Sequence, residues 1–310
     1  MQSRLALVLL LAACGNDSKP APAIDPVVLA ADVSQAELET TIQDLVAMGT
    51  RYTMSQGDEQ ARDYLVDRAE AMGLTAELDP FQVTNQVANN VIIKLPGTKT
   101  PEVIYIYSAH YDSTSNQAMT NAPGADDNAT GVAGVLEAAR VMSKHSFANT
   151  IWFVFTAAEE QGSLGSKHMV RWIAEQGLTV KGVIAPDMIG YWPQGENDAM
   201  DILGDPASSH LVTHMADVAT RMGVPHKTYV EHTYCYGDDH TSFQEAGIPA
   251  ISPMDCVEAH NVAGSGEDTP HYHKPSDTFD TLHMPFTTKV AQVIVATLAE
   301  LAEPVEPARK

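Results

Sequence analysis

Apolar residues first recur at helical spacing behind Ser34-Gln35-Ala36-Glu37, a serine–glutamate capping box followed by Leu38, Ile42, Leu45 and Met48, with Gly49 as the stop. A second helix is expected over 58–72, placing Tyr64, Leu65 and Met72 on one face and ending at Gly73. Runs with strand character follow at 76–84, 90–95 and 103–109. From there strands and helices alternate. Helices are expected over 131–143, 166–175, 208–222 and 241–246, strands over 151–156, 180–185 and 250–252, and a last helix over 284–301. That order predicts an α/β fold, with a mixed, mostly parallel central sheet and helices on both faces.

Polar residues interrupt the pattern at chosen places. His110 follows one apolar strand, Glu159-Glu160 a second and Asp187 a third, each at the carboxyl end. In open α/β sheets this is the edge where ligands bind. Asp127 lies in the glycine-framed segment Gly124-Ala125-Asp126-Asp127-Asn128-Ala129-Thr130-Gly131, entering a helix, and His273 precedes a Ser276-Asp277-Thr278 turn. Two imidazoles and three carboxylates suit two zinc ions, provided one carboxylate lends an oxygen to each. Adjacent carboxylates at the end of a buried strand repel unless a cation lies near them. A metal pair resolves this by taking Glu160 as ligand and leaving Glu159 as the base toward a water. Asp112, two residues beyond His110, is expected to accept a hydrogen bond from that imidazole and fix its tautomer.

Composition narrows the partners. The 310 residues carry 40 acidic against 18 basic side chains, a net charge of −22. Nucleic acid, which needs a basic face, is excluded as a partner. Nor does the chain offer a polybasic patch for anionic lipid. Before the first helix, Arg4 and the apolar run 5–11 lead to Leu11-Ala12-Ala13-Cys14, too short to span a bilayer. This tetrapeptide resembles a bacterial lipobox. By that resemblance residues 1–14 are a signal, Cys14 becomes the lipidated first residue, and residues 15–33 form a tether to a single domain over 34–310. Membrane contact would then be through the lipid alone, on an exported protein facing the periplasm or the cell surface. Cys235 and Cys256 remain as a candidate disulfide.

Taken together, the motifs between about 103 and 281 resemble those of the M28 family of zinc aminopeptidases. The resemblance implies a zinc-dependent exopeptidase fold of the phosphorylase/hydrolase-like kind. It implies that His110 and Asp187 hold one zinc, Glu160 and His273 the other, with Asp127 bridging, Glu159 as general base, and a cis peptide after Asp127. It further implies substrates that are peptides with a free N-terminus. The segment Tyr234-Cys235-Tyr236-Gly237-Asp238-Asp239-His240 is similar to the one that supplies an oxyanion-stabilising tyrosine, here Tyr236 or Tyr234. Apolar side chains near Trp192 or Met254 are expected to shape the first substrate pocket. A carboxypeptidase-like or acyl-amino-acid amidohydrolase, a glutaminyl-cyclase-like enzyme and a non-catalytic surface lipoprotein stay open as alternatives on the same scaffold.

Overall fold

The computed structural model describes residues 23–191, 199–230, 237–254 and 269–306. In chain order the elements are helices α1 (Pro26–Ala30), α2 (Gln35–Val46) and α3 (Gln56–Ala71), then strands β1 (Ala76–Val83), β2 (Gln86–Leu95) and β3 (Thr100–His110). An irregular helical turn over Ala125–Thr130 opens into α4 (Gly131–Met142), followed by β4 (Ser146–Phe147), β5 (Asn149–Thr156), α5 (Leu164–Gln176) and β6 (Thr179–Ile184). The remainder is β7 (Met200–Gly204), α6 (Ser209–Met222), β8 (His226–Val230), α7 (Asp239–Glu245), β9 (Ala250–Met254), α8 (Met284–Ala302) and β10 (Pro304–Val305).

Among the described residues, eight strands form one sheet in the order β1-β2-β5-β3-β6-β9-β7-β8. The middle four, β5-β3-β6-β9, are parallel to one another, and the antiparallel pairings lie outside them. β5 is buried along its whole length, which is why it reads as a continuous apolar run rather than an alternating one. Its residues divide between two cores. Ile151, Phe153 and Phe155 join α2, α4, α6 and α8 on one face, whereas Trp152 and Val154 pack with Met169 and Ile173 of α5 and Phe243 of α7 on the other. Helices cover both faces, as expected.

The Ser34 cap forms as the sequence predicts, its hydroxyl accepting from the Glu37 amide. The expected tether does not extend to residue 33. Asp25 caps α1, Pro26 opens it, and Leu29 and Ala30 are fully buried in the same core as α8. Five residues are too few to show helical periodicity, so the sequence hid this element. Strands β7 and β8 were missed too: β7 is only five residues long and β8 is a half-exposed edge strand. No helix among the described residues is long and apolar enough to cross a membrane.

The sheet order brings the chemistry together. β5, β3 and β6 are neighbours and parallel, so Glu159-Glu160, His110 and Asp187 leave the same edge from three adjacent strands. Neighbouring strands lie about 4.8 Å apart, close enough for their terminal side chains to meet.

Candidate metal centre

Asp127 is the hinge of the site. Its Oδ1 lies 3.3 Å from His110 Nε2, and its Oδ2 lies 3.3 Å from His273 Nε2. On the first side Asp187 Oδ2 is 3.3 Å from His110 Nε2; on the second, Glu160 Oε2 is 3.1 Å from His273 Nε2. Two groups result, His110–Asp127–Asp187 and Asp127–Glu160–His273, each offering ligand atoms within 4.8 Å of one another. Nitrogen and carboxylate oxygen are the donor set for zinc and similar divalent ions.

The electrostatics fit cations in both groups. Burial pushes Glu160 up to about 8, with Asp127 adding to it, and pushes Asp187 up to about 6. Asp127 goes the other way: burial works to raise it, but His110 and His273 outweigh that and hold it below the usual carboxylate range. Burial would lower both imidazoles, yet the carboxylates hold His110 well above its ordinary value and raise His273 to about 10. The protons are countercharge to crowded acids, and each imidazole would give its proton up to ligate a divalent ion. Glu160 Oε1 and Asp187 Oδ1 are also buried with no hydrogen-bond partner, an arrangement that is costly without a cation.

The ligands are held by the turns that carry them. Asp277 accepts from the Asp126 and Asp127 amides at 2.9 and 3.1 Å. Asp126 in turn accepts from the Gly190 and Tyr191 amides at 2.8 and 3.1 Å, fastening the segment after Asp187. Asn128 joins the Pro186 carbonyl to the Gly131 amide, and the Asp127–Asn128 peptide is cis. Ala158, Met188 and His273 all have positive φ, between 47° and 57°. Such residues cost of order 1 kcal/mol or more each and gather where surrounding structure enforces them, commonly at functional sites.

Asp112 departs from its expected part. His110 Nδ1 lies 3.1 Å from the Asp112 main-chain oxygen, and the nearer carboxylate oxygen is 3.6 Å away. That carboxylate chiefly accepts from the Glu159 and Glu160 amides, at 3.0 and 3.2 Å, and from the Thr53 hydroxyl at 2.9 Å. Asp112 therefore ties the His110 strand end to the Glu159-Glu160 turn.

Glu159 lies in the cleft beside both groups, with Gly237, Asp238, Met188 and Tyr272 also on its wall, and it belongs to neither ligand group. Burial pushes its carboxyl well up, with Asp239, Asp238 and Glu160 adding and His110 opposing. The cleft can therefore place metal ligands and a proton acceptor around one small volume.

Comparison with known proteins decides the family. The model of peptidase family M28 matches residues 90–298. A probable zinc metalloprotease of Pyrenophora teres f. teres is 30% identical over 331 residues, covering 88% of this chain and 67% of its own. Leucine aminopeptidase 1 of Arthroderma otae is 30% identical over 303 residues, covering 88% and 75%. The chain belongs to peptidase family M28. Among solved structures, the LapA aminopeptidase of Legionella pneumophila aligns with TM-score 0.74 at 22% identity, covering 94% of this chain and 79% of that one. A glutaminyl cyclase of Porphyromonas gingivalis aligns with TM-score 0.70 at 21% identity, covering 87% and 99%. At these identities the likeness is one of fold, and the fold alone does not choose between the two reactions.

Of the residues expected at the site of this M28 peptidase, Asp127, Glu160, Asp187, His273 and Glu159 line the cleft, and His110 lies buried behind it against Asp127 and Asp187. Tyr234, Tyr236, Cys235, Cys256, Trp192 and Cys14 lie outside the described residues. Met254 is buried in a small cluster with Met188 and Leu203, against which Tyr272 packs. Tyr272 was missed by the sequence reading. Its ring stacks on His273 with centroids 3.7 Å apart. Burial, with Asp127, Glu160, Asp187 and Asp238 adding to it, keeps its hydroxyl protonated. The only clue in the sequence was its position next to a ligand histidine.

Arg51 was missed as well, and it lies outside the segment matched by the family model. It is fully buried and donates to the carbonyls of Tyr111, Pro123 and Gly124 at 2.8, 2.6 and 2.9 Å. Burial lowers its guanidinium to about 10, against the pull of Asp277, Asp112 and Asp127, so it stays charged at neutral pH. It fastens the loop between His110 and Asp127 and has no donor face turned to a substrate carboxylate. Arg51→Met is expected to cost about 3–5 kcal/mol, because it strips this donor from the buried Tyr111 and Pro123 carbonyls and leaves Gly124 only the Ala129 amide. That corresponds to a thermal midpoint roughly 10 °C lower. A midpoint unchanged in scanning calorimetry would refute this role.

Proposed function

We propose that the chain is a zinc aminopeptidase working with two ions, in which Glu159 is the general base. The observation that carries this reading is the Asp127 carboxylate, which turns one oxygen to His110 and the other to His273. His110, Asp187 and Asp127 Oδ1 would hold one ion; His273, Glu160 and Asp127 Oδ2 the other. Zinc at such a site supplies Lewis acidity to a water and to the scissile carbonyl. Glu159 takes the proton from the attacking water and later delivers it to the leaving amine. A tyrosine hydroxyl would donate to the carbonyl oxygen as that atom gains charge, Tyr236 or Tyr234 by the family resemblance, with Tyr272 on the cleft wall as a further candidate. The excess of carboxylates on the cleft wall, Asp238 among them, favours the ammonium of a free N-terminus.

The test is hydrolysis of leucyl p-nitroanilide by the purified protein. Activity is expected to vanish with a chelator, return with zinc, and be absent on the N-acetylated substrate. Equal cleavage of the acetylated substrate would refute the exopeptidase reading. A glutaminyl peptide in the same assay separates a cyclising enzyme, which would yield pyroglutamate and ammonia rather than a free amino acid.

Tyr272→Phe keeps the ring that stacks on His273 and removes the donor. It is expected to lower kcat by about 10²-fold with zinc content unchanged; wild-type kcat would assign the oxyanion to another group. We also propose that the protein is exported and anchored through lipidated Cys14, with a short tether ending at α1. Palmitate labelling of the expressed chain should be lost in Cys14→Ala, and labelling that survives would refute the anchor.

A further inference from the structure

A serine directly before a helix ordinarily lends its hydroxyl to the first free amides of that helix. Ser163 stands in that position before α5 and makes no such bond. Its backbone is left-handed, φ 55° and ψ 41°, a conformation that glycine adopts without strain and other residues do not. The side chain is buried. Its hydroxyl oxygen lies 3.0 Å from Glu159 Oε1 and 2.7 Å from the Gly237 carbonyl oxygen. Rotation about the Cβ–Oγ bond lets its one hydrogen serve either acceptor.

The turn that carries Ser163 is fixed from both sides. The Ser163 amide donates to the Glu159 carbonyl at 2.7 Å, and the Ser163 carbonyl accepts from the Ser166 hydroxyl at 3.1 Å. Ser166 Oγ is in turn 2.9 Å from Ser242 Oγ of α7. Glu159 and Gly237 lie on the same cleft, so the Ser163 hydroxyl spans the two segments that form that part of its wall. A strained residue that forgoes its cap and bridges the base to the opposite segment is not explained by helix stability.

We propose that Ser163 is a positioning residue for Glu159: its hydroxyl holds Oε1 and so leaves Oε2 for the reacting water, an inference that rests on Glu159 being the base. A glutamate has rotatable bonds enough to swing away from a cleft, and a base works only within hydrogen-bond reach of the proton it takes. Misplacement by about 1 Å is enough to slow a reaction severely.

Two variants test this beside Glu159→Gln. S163G removes the hydroxyl and suits the left-handed backbone, so its thermal midpoint and metal content should equal those of the parent. Its kcat is expected to fall roughly tenfold with KM unchanged, the worth of one hydrogen bond. S163N tolerates the same backbone and carries an amide with two hydrogens for the two acceptors, so it should recover most of kcat. Parental kcat in S163G, a loss confined to KM or to metal content, or no recovery in S163N overturns the proposal. An inactive Glu159→Gln beside a fully active S163G overturns this inference alone, whereas an active Glu159→Gln overturns it together with the assignment of the base.

Discussion

Glu159→Gln is expected to lower kcat by about 10²–10⁴-fold while leaving zinc content and KM close to those of the parent. The amide is nearly the same size as the carboxylate and can still meet the Ser163 hydroxyl, now 3.0 Å from Oε1. What it cannot do is accept a proton. Because Glu159 belongs to neither ligand group, the two sites keep their full donor sets. The variant also removes a carboxyl that burial already disfavours as an anion, so the fold should be no less stable. Substantial activity in a zinc-loaded Glu159→Gln protein would remove Glu159 from the mechanism.

Asp127→Asn should act on the metals themselves. The carboxylate gives an oxygen to each group, whereas an amide has one oxygen and no charge. At least one site then loses its third donor, and both lose the negative charge between them. Even partners of a ligand, one step removed, change metal affinity 10–100-fold, so loss of a direct ligand is expected to weaken binding by roughly 100-fold or more. After dialysis against metal-free buffer, elemental analysis should find at most one zinc per chain, and activity should be almost absent. Two tightly held ions in that variant would contradict a bridging role.

Much of this site was legible in the sequence, for physical reasons. Strand β5 is buried throughout, and β3 and β6 are buried toward their carboxyl ends, so the apolar runs there are plain and a charged residue after each stands out. His110, Glu159-Glu160 and Asp187 were found that way. Their convergence then follows from the parallel order β5-β3-β6.

The groups that hold the ligands were less visible. Arg51 acts through main-chain carbonyls 60 to 73 positions away, and no local pattern encodes such a partner. Asp112 was assigned to the imidazole from extended-chain spacing, but its carboxylate chiefly serves two amides across the strand pair. Ser163 escapes a reading that starts this helix at residue 166, and its role shows only in its left-handed backbone and its contacts with Glu159 and Gly237. Helix α1 was absorbed into the tether because five residues carry too short a pattern. Conversely, α2 was located closely because its cap and its apolar face agree with each other.

Sharing of Asp127 by two ions is tested most directly by anomalous diffraction at the zinc edge from crystals of the zinc-loaded protein. Two peaks are predicted, about 3.5–4 Å apart as in two-metal hydrolases, one beside His110 and Asp187 and the other beside Glu160 and His273, with the Asp127 carboxylate between them. A single fully occupied peak, with the other ligand group closed by direct hydrogen bonds among its own side chains, would contradict it.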